Sequence, residues 1–154
     1  MTVQKAIRLL NVPPYDVRRV LLDPRALPAW NPAFHTLDGP AHATTDVAYP
    51  ITVRGGLTGN WEYTAIADQR IDTAWHVPGF RETAVWLLEP HDGGTLVTHE
   101  FRHAGPLAGI LRQAFRGVAE LRLDRLTQRA SRFEAPAFAG ARNEHTIEYQ
   151  GRRS

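Results

Sequence analysis

The spacing of apolar residues changes along this 154-residue chain, and that change constrains the fold more than any other feature. Between residues 33 and 103, Val, Ile, Thr, Trp and Tyr alternate with polar residues, in segments separated by turn sequences. A period of two is typical of strands with one buried face. From residue 107 to about residue 133, apolar residues recur at helical spacing, which predicts one continuous helix of about 40 Å. A series of strands followed by one long helix indicates an α+β fold.

Turn sequences such as Gly55-Gly56 and Pro78-Gly79 divide the strand region into six parts. We predict strands at residues 33–38, 45–54, 57–67, 70–77, 81–90 and 94–103. Tight hairpins between such neighbours form an antiparallel meander. Before them we predict a first strand and two short helices, at residues 3–11, 15–23 and 24–30. The domain is expected to cover residues 1–134, followed by a mobile tail at 135–154 in which residues 145–150 could add an edge strand.

Composition excludes several classes of function. The chain has no cysteine, which removes thiolate chemistry, disulfides and cysteine-based metal sites. No apolar run approaches the roughly 18 residues that span a membrane, and the N-terminus lacks a signal-peptide pattern, so we expect a cytoplasmic protein that does not associate with membranes. The formal net charge is only +2 and the arginines are mostly scattered, which argues against nucleic-acid binding.

The string His99-Glu100-Phe101-Arg102-His103 matches the zinc-peptidase motif H-E-x-x-H. That motif needs a helix, on which its two histidines lie one turn apart. Here it follows the Gly93-Gly94 turn and an alternating stretch, which predicts a strand. On a strand, residues four apart are separated by about 13 Å, too far for one ion to bridge. We therefore expect no metal site and no cofactor.

The turn at residues 92–94 makes residues 81–90 and 94–103 a hairpin, and a symmetric register fixes its facing pairs. These pairs are Leu88 with Val97, Trp86 with His99, Ala84 with Phe101, and Glu82 with His103. One face of the hairpin would then carry apolar residues together with His99, His103 and Glu82. Neighbouring strands would add two further pairs of residues to that face, Trp61 with Tyr63 and Thr73 with Trp75.

Small residues on the predicted helix, Ala114 and Gly117, would lie above these large rings and leave a cavity. A cavity lined by aromatic rings and a few polar groups is the usual form of a small-molecule site. The predicted ligand contacts are Trp61, Thr73, Trp75, Ala84, Trp86, Leu88, Val97, Phe101, Ala114 and Gly117. Each has a simpler interpretation: the aromatic residues can be ordinary core, and the histidines and Glu82 can be hydrogen-bonded interior groups or solvated strand ends.

Several stretches resemble the SRPBCC or START-like superfamily, which includes polyketide cyclase/dehydratase-like proteins. They are LLDPRALPAWNPAF, GNWEYTAIAD, TAVWLLEPHDGGTLVTHEFRHAGPLAG and the terminal helix, and the resemblance covers about residues 3 to 133. It implies a helix-grip fold, in which a curved seven-stranded antiparallel sheet wraps around the C-terminal helix. It also implies a hydrophobic cavity, but no universal catalytic motif.

Three hypotheses for function follow. The first is binding of a small hydrophobic, aromatic or polyketide-like ligand in a cavity between the sheet and the C-terminal helix. The second is a metal-free cyclase or dehydratase, a lyase or isomerase, in which His99 transfers protons, His103 and Glu82 orient it, and Tyr63 donates a hydrogen bond to an enolate. The third is a regulator of a partner protein that binds no ligand. The sequence does not fix the oligomeric state.

Overall fold

The computed structural model describes residues 2–133, which form one seven-stranded sheet and four α-helices. The strands are β1 Thr2–Leu10, β2 Phe34–Leu37, β3 Tyr49–Val53, β4 Thr58–Ile66, β5 Arg70–Val77, β6 Phe80–His91 and β7 Gly94–Ala104. The helices are α1 Pro14–Leu21, α2 Leu27–Trp30, α3 Pro106–Leu111 and α4 Val118–Ser131, with a short 3₁₀ turn at Pro24–Ala26. The predictions for the tail at 135–154, including its edge strand, lie outside the described residues.

The sheet is antiparallel throughout and its strand order is β1-β7-β6-β5-β4-β3-β2. The first strand therefore pairs with the last, and the other strands follow each other as a meander. The predicted register of the β6–β7 hairpin is confirmed, with Trp86 opposite His99 and Glu82 opposite His103. All four of these side chains are buried on the inner face of the sheet.

The core lies between the inner face of the sheet and helices α1, α2 and α4. Trp30 of α2 packs edge-on against Trp86 of β6, with ring centroids 5.7 Å apart. Helix α4 contributes Leu123 and Leu126, which are fully buried. These leucines and the two indole rings fill the centre of the space that the sheet encloses. Among residues 2–133, no helix is long and apolar enough to span a bilayer.

The C-terminal helical region differs from the sequence prediction in two respects. Residues 107–133 were predicted to form one continuous helix, but residues 112–117 form turns between α3 and α4. The physical reason is Gly117, which has a φ of +75° and so cannot continue a right-handed helix. The helical spacing of apolar residues up to about residue 133 also predicts that Phe133 packs against the sheet, but Phe133 is 38% exposed, and the Arg19 guanidinium lies 4.0 Å from its ring centroid.

Candidate functional site

An apolar cavity of about 480 Å³ lies at one end of the sheet, beneath α3 and the turns that precede α4. Its wall is mainly aromatic and branched aliphatic, and includes Trp75, Val77, Phe80, Leu107, Leu111 and Phe115. The β3–β4 turn borders the opposite side with Leu57, which is 43% exposed, so the cavity is open to solvent on this side. Pockets that hold small molecules have volumes of about 300–1,000 Å³, so this cavity is large enough for one.

A close backbone contact holds α3 over this cavity. The Leu107 N–H donates a hydrogen bond to the Gly79 carbonyl oxygen at 3.0 Å, which joins the start of α3 to the β5–β6 turn. Gly105 makes this approach possible, because a Cβ atom there would lie 2.6 Å from the same oxygen, and its φ is +99°. The Gly105-Pro106 sequence thus ends β7 and directs Leu107 to the cavity wall.

The aromatic rings of the wall pack against each other as well as facing the cavity. Phe80 and Phe115 stack with centroids 5.4 Å apart and an interplanar angle of 17°. Trp75 lies 5.1 Å from Phe80 by the same measure. Such contacts add stability beyond area burial and hold the rings in place, so the wall is largely formed before any ligand arrives.

A buried polar network lies directly behind this wall. Trp75, Glu82 and His103 are opposite each other on β5, β6 and β7 and form one row across the sheet. Glu82 Oε2 accepts a hydrogen bond from Trp75 Nε1 at 2.7 Å, while its Oε1 accepts from His103 Nε2 at 2.7 Å and Arg122 Nη2 at 2.9 Å. The Arg122 guanidinium comes from α4 and lies 4.5 Å from the Phe101 ring centroid. The network therefore joins the cavity wall to the terminal helix.

Glu82 and Arg122 are each only 1% exposed, so their charges must be compensated within the protein. Burial by itself raises the pKa of the Glu82 carboxyl, but the Arg122 charge and the hydrogen bonds from His103 and Arg122 outweigh burial and lower that pKa to about 2. Glu82 is consequently ionised at neutral pH. Because a carboxylate only accepts hydrogen bonds, His103 Nε2 carries a proton.

His99 is buried in the same network but in a neutral form. Its Nε2 lies 3.2 Å from Arg122 Nη1, which can only donate, and its Nδ1 lies 3.3 Å from the Val85 carbonyl oxygen. The proton of the ring is therefore on Nδ1. Burial first, and then the Arg122 charge, lower the pKa of His99 to about 3. The ring also stacks on Trp86, with centroids 3.6 Å apart.

The amino-acid sequence of this chain matches a known protein family over most of the chain's length. A family model described as polyketide cyclase / dehydrase and lipid transport matches residues 2–131. The chain belongs to this family. No curated protein sequence gives a significant match to the chain.

Solved structures share the helix-grip fold with this polyketide cyclase/dehydrase family member at low sequence identity. Protein MLL2253 from Mesorhizobium loti has a TM-score of 0.67 and 18% identity, over 85% of this chain and 98% of that one. Ara h 8.0201 has a TM-score of 0.63 and 16% identity, over 84% and 97% of the two chains. DynU16, from the dynemicin biosynthetic locus, has a TM-score of 0.61 and 19% identity, over 82% of this chain and 46% of that one. These likenesses show the fold.

In this family member, the four residues predicted to be catalytic all lie on the inner face of the sheet, and none lines the cavity. Glu82 and His103 come nearest, because they lie directly behind Trp75 and Phe80; the centroids of Phe80 and His103 are 4.6 Å apart. His99 is deeper, against Trp86. Tyr63 is fully buried and donates its hydroxyl to the Leu21 carbonyl oxygen at 2.7 Å, and burial raises the pKa of that hydroxyl.

Of the ten predicted ligand contacts, Trp75 and Ala114 line the cavity. Gly117 lies on another surface, in a groove beside the start of β1. The remaining seven are buried in the core: Trp61, Thr73, Ala84, Trp86, Leu88, Val97 and Phe101. Two polar atoms in that group, Trp61 Nε1 and Thr73 Oγ1, have no hydrogen-bond partner among residues 2–133.

Sequence reasoning missed Arg122, Phe80 and Leu107. Arg122 had a usable signal, because on a helix it lies four residues from both Val118 and Leu126 and so belongs to the buried stripe. A charged residue on that stripe needs a buried partner, and Glu82 was already predicted to face inward. Phe80 and Leu107 gave no such signal, since each adjoins a turn whose path over the sheet is set only by tertiary contacts.

The H-E-x-x-H string lies on β7, as predicted, and not on a helix. His99 and His103 both point inward, but they contact different residues: His103 contacts Glu82, and His99 contacts Arg122. Across residues 2–133, no three His, Cys, Asp or Glu side chains are grouped so that they could hold a metal ion.

Proposed function

We propose that this protein binds a small, mainly apolar ligand with an aromatic ring in the cavity formed by Trp75, Phe80 and Phe115. The observation that carries the proposal is the cavity itself, about 480 Å³ of space walled by rings and branched side chains and open on the Leu57 side. A flat ring inserted there can contact the faces and edges of three aromatic side chains. The family description, which names both polyketide cyclases and lipid transport, supports a hydrophobic ligand.

Binding at such a site gains its free energy from the removal of apolar surface from water. A two-ring ligand that buries about 200 Å² gains about 5 kcal/mol at about 25 cal/mol per Å², before the cost of lost motion. The preformed wall keeps the ordering cost low, because its rings are already packed against one another. A gain of that size corresponds to a Kd of about 0.2 mM before those costs, so affinities from about 0.2 mM into the millimolar range are expected for compounds of this size.

Catalysis as a cyclase or dehydratase is the second candidate, and it is favoured by one observation. Glu82 and His103 form a hydrogen-bonded pair separated from the cavity only by Trp75 and Phe80. Proton transfer to a ligand would require those rings to move aside, since both polar groups are 1% exposed. Burial and the Arg122 charge keep His99 neutral, and its two ring nitrogens are already in contact with Arg122 and the Val85 carbonyl oxygen, so the geometry supports binding better than acid–base catalysis by this residue.

A solid core without a cavity would favour the third candidate, a regulator that binds no ligand. The centre of the molecule is indeed filled, by Leu123, Leu126 and Arg122 among others, but the end beneath α3 is not. The space left there favours a ligand-binding protein.

Titration with 2-naphthol, followed by tryptophan fluorescence and by calorimetry, tests this proposal. Saturable binding is expected in the unmodified protein. Ala114→Phe places a ring in the cavity and should weaken binding at least tenfold, while Gln113→Phe, at an exposed neighbour outside the wall, should not. Equal binding in the two variants, or no response to 2-naphthol and a panel of similar flat compounds, would contradict the proposal.

A further inference from the structure

Arg54 differs from the rest of the cavity wall because it is charged. Within the described part of the chain, every other residue lining the cavity is apolar or glycine. Arg54 lies at the opening, where β3 ends and the Gly55-Gly56 turn begins, and its side chain is exposed. An apolar chamber with a single cation at its entrance is an amphipathic site.

The Arg54 side chain is held in place by the segment that follows α2. Its Nε donates to the Pro32 carbonyl oxygen at 2.9 Å, and its backbone N–H donates to the Ala33 carbonyl oxygen at 3.1 Å. Pro32 and Ala33 themselves line the cavity. The guanidinium is thus oriented by the wall of the same site, and it does not extend freely into solvent.

The two terminal nitrogens of Arg54 are not used in this arrangement. Arg54 forms no ion pair with a carboxylate of residues 2–133, and its hydrogen bonds there use only Nε and the backbone N–H. The remaining N–H groups form a planar fork of the kind that binds a carboxylate with two parallel hydrogen bonds. Nothing in the wall offers a competing negative charge.

We propose that the ligand is an aromatic or apolar acid whose rings occupy the cavity and whose anionic group binds Arg54 at its opening. This inference rests on the proposed function and adds the chemical class of the ligand. Burial of the ring and pairing of the charge require opposite environments, and the cavity supplies both, with Trp75 and Phe80 in its apolar wall and Arg54 at its exposed edge. A neutral ligand of equal size leaves the guanidinium in water and gains only the apolar part.

A matched pair of probes, naphthalene-2-carboxylate and naphthalene-2-carboxamide, separates the two contributions. Calorimetric titrations should show the acid binding roughly three- to tenfold more tightly than the amide, the range expected for a partly exposed charge pair. Arg54→Met should abolish this preference, so that the two probes bind with equal affinity. Arg81→Met removes an equal charge from an exposed position on β6 outside the wall, and should keep the preference.

Two further measurements distinguish a specific contact with Arg54 from loss of folding and from general electrostatic attraction. Arg54→Lys keeps the charge but loses the fork and the orienting bond from Nε, and should retain part of the preference. In the unmodified protein the preference should fall as sodium chloride is raised from 20 mM to 500 mM. Equal binding of acid and amide, or a preference that survives Arg54→Met, overturns the inference and leaves the proposed function standing. Failure of both probes to bind overturns the proposed function as well.

Discussion

Trp75 donates its indole Nε1–H to Oε2 of Glu82 at 2.7 Å, across the β5–β6 strand pair. Trp75 is also part of the cavity wall. Glu82 is in turn held by Arg122 of α4 and by His103 of β7. The orientation of a ring that would touch the ligand is therefore set by charges that the ligand never reaches.

The first prediction follows from this relationship. Glu82→Gln should weaken binding of naphthalene-2-carboxamide, because an amide cannot accept from Trp75, His103 and Arg122 together and the indole loses its fixed orientation. In the background of Trp75→Phe, which has no indole N–H, the same Glu82→Gln change should have little further effect. Calorimetric titration of the four proteins forms a double-mutant cycle. Equal effects of Glu82→Gln in both backgrounds would show that Glu82 does not act through Trp75.

The second prediction concerns the stability that Arg122 provides. Arg122→Met leaves the Glu82 carboxylate buried without its cation, a change that typically costs about 3–5 kcal/mol. Arg125→Met is the matched control, since Arg125 lies on the same helix, is half-buried and forms no ion pair within residues 2–133. Its expected cost is below about 1 kcal/mol. The free energies of unfolding come from urea denaturation at pH 7, and similar values for the two variants would rule out a special role for Arg122.

The third prediction is a loss of stability in acid with two causes. The pKa of His99 is lowered in the folded protein from 6.5 to about 3, so between these values the unfolded chain binds a proton that the folded protein does not. The stability that neutral His99 allows is thus lost as pH falls from about 6.5 to about 3. Glu82 acts in the same direction, with a pKa lowered from 4.5 to about 2, so its contribution is lost between those values.

Substitution separates the two causes, because between pH 6.5 and 5 the contribution of His99 is much larger than that of Glu82. His99→Gln should reduce the slope of unfolding free energy against pH in that range by up to about 1.4 kcal/mol per pH unit, the value for one proton. His35→Gln, on the exposed side of β2, controls for the loss of a histidine. Urea denaturation at pH 5.0, 5.5, 6.0 and 6.5 provides the measurement. An unchanged slope in His99→Gln would mean that His99 titrates equally in both states.

The fourth prediction uses two glycines with opposite backbone requirements. Gly117→Ala should destabilise the protein by about 1 kcal/mol, because φ is +75° although nothing lies within 4 Å of the added Cβ. Gly109→Ala, inside α3 and also without close neighbours, should stabilise it by about 0.4–1 kcal/mol. Thermal unfolding of both variants is sufficient. A loss of stability in Gly109→Ala, or none in Gly117→Ala, would contradict the proposed division between α3 and α4.

The strands and their register could be predicted from the sequence because the information is local. Alternation fixes which residues share a face, and the turn at residues 92–94 fixes the pairing of Trp86 with His99. Two glycines and a proline, at Gly94 and at Gly105-Pro106, mark where β7 begins and ends. The inward position of Glu82 followed from the same reasoning.

The position of the cavity could not be predicted in this way, because it depends on how α3 and α4 sit over the sheet. The small residues at 114 and 117 were expected to leave space above the aromatic rings of the sheet. Instead, the helical region is interrupted at residues 112–117, and the cavity lies beside this interruption at one end of the sheet. Helix α4 then places Arg122 and Leu123 over the centre, where they fill the volume between the rings. Whether a face that is buried is also hollow depends on side chains far apart in sequence.

The central claim, that a ring binds between Trp75, Phe80 and Phe115, is tested most directly by intermolecular nuclear Overhauser effects. The measurement uses isotope-labelled protein and unlabelled naphthalene-2-carboxamide, so that only contacts between protein and probe are detected. We predict cross-peaks from the naphthalene protons to the side chains of Trp75, Phe80 and Phe115. Cross-peaks to Trp30 or Trp86 in the filled interior in their place, or to none of these rings, would contradict it.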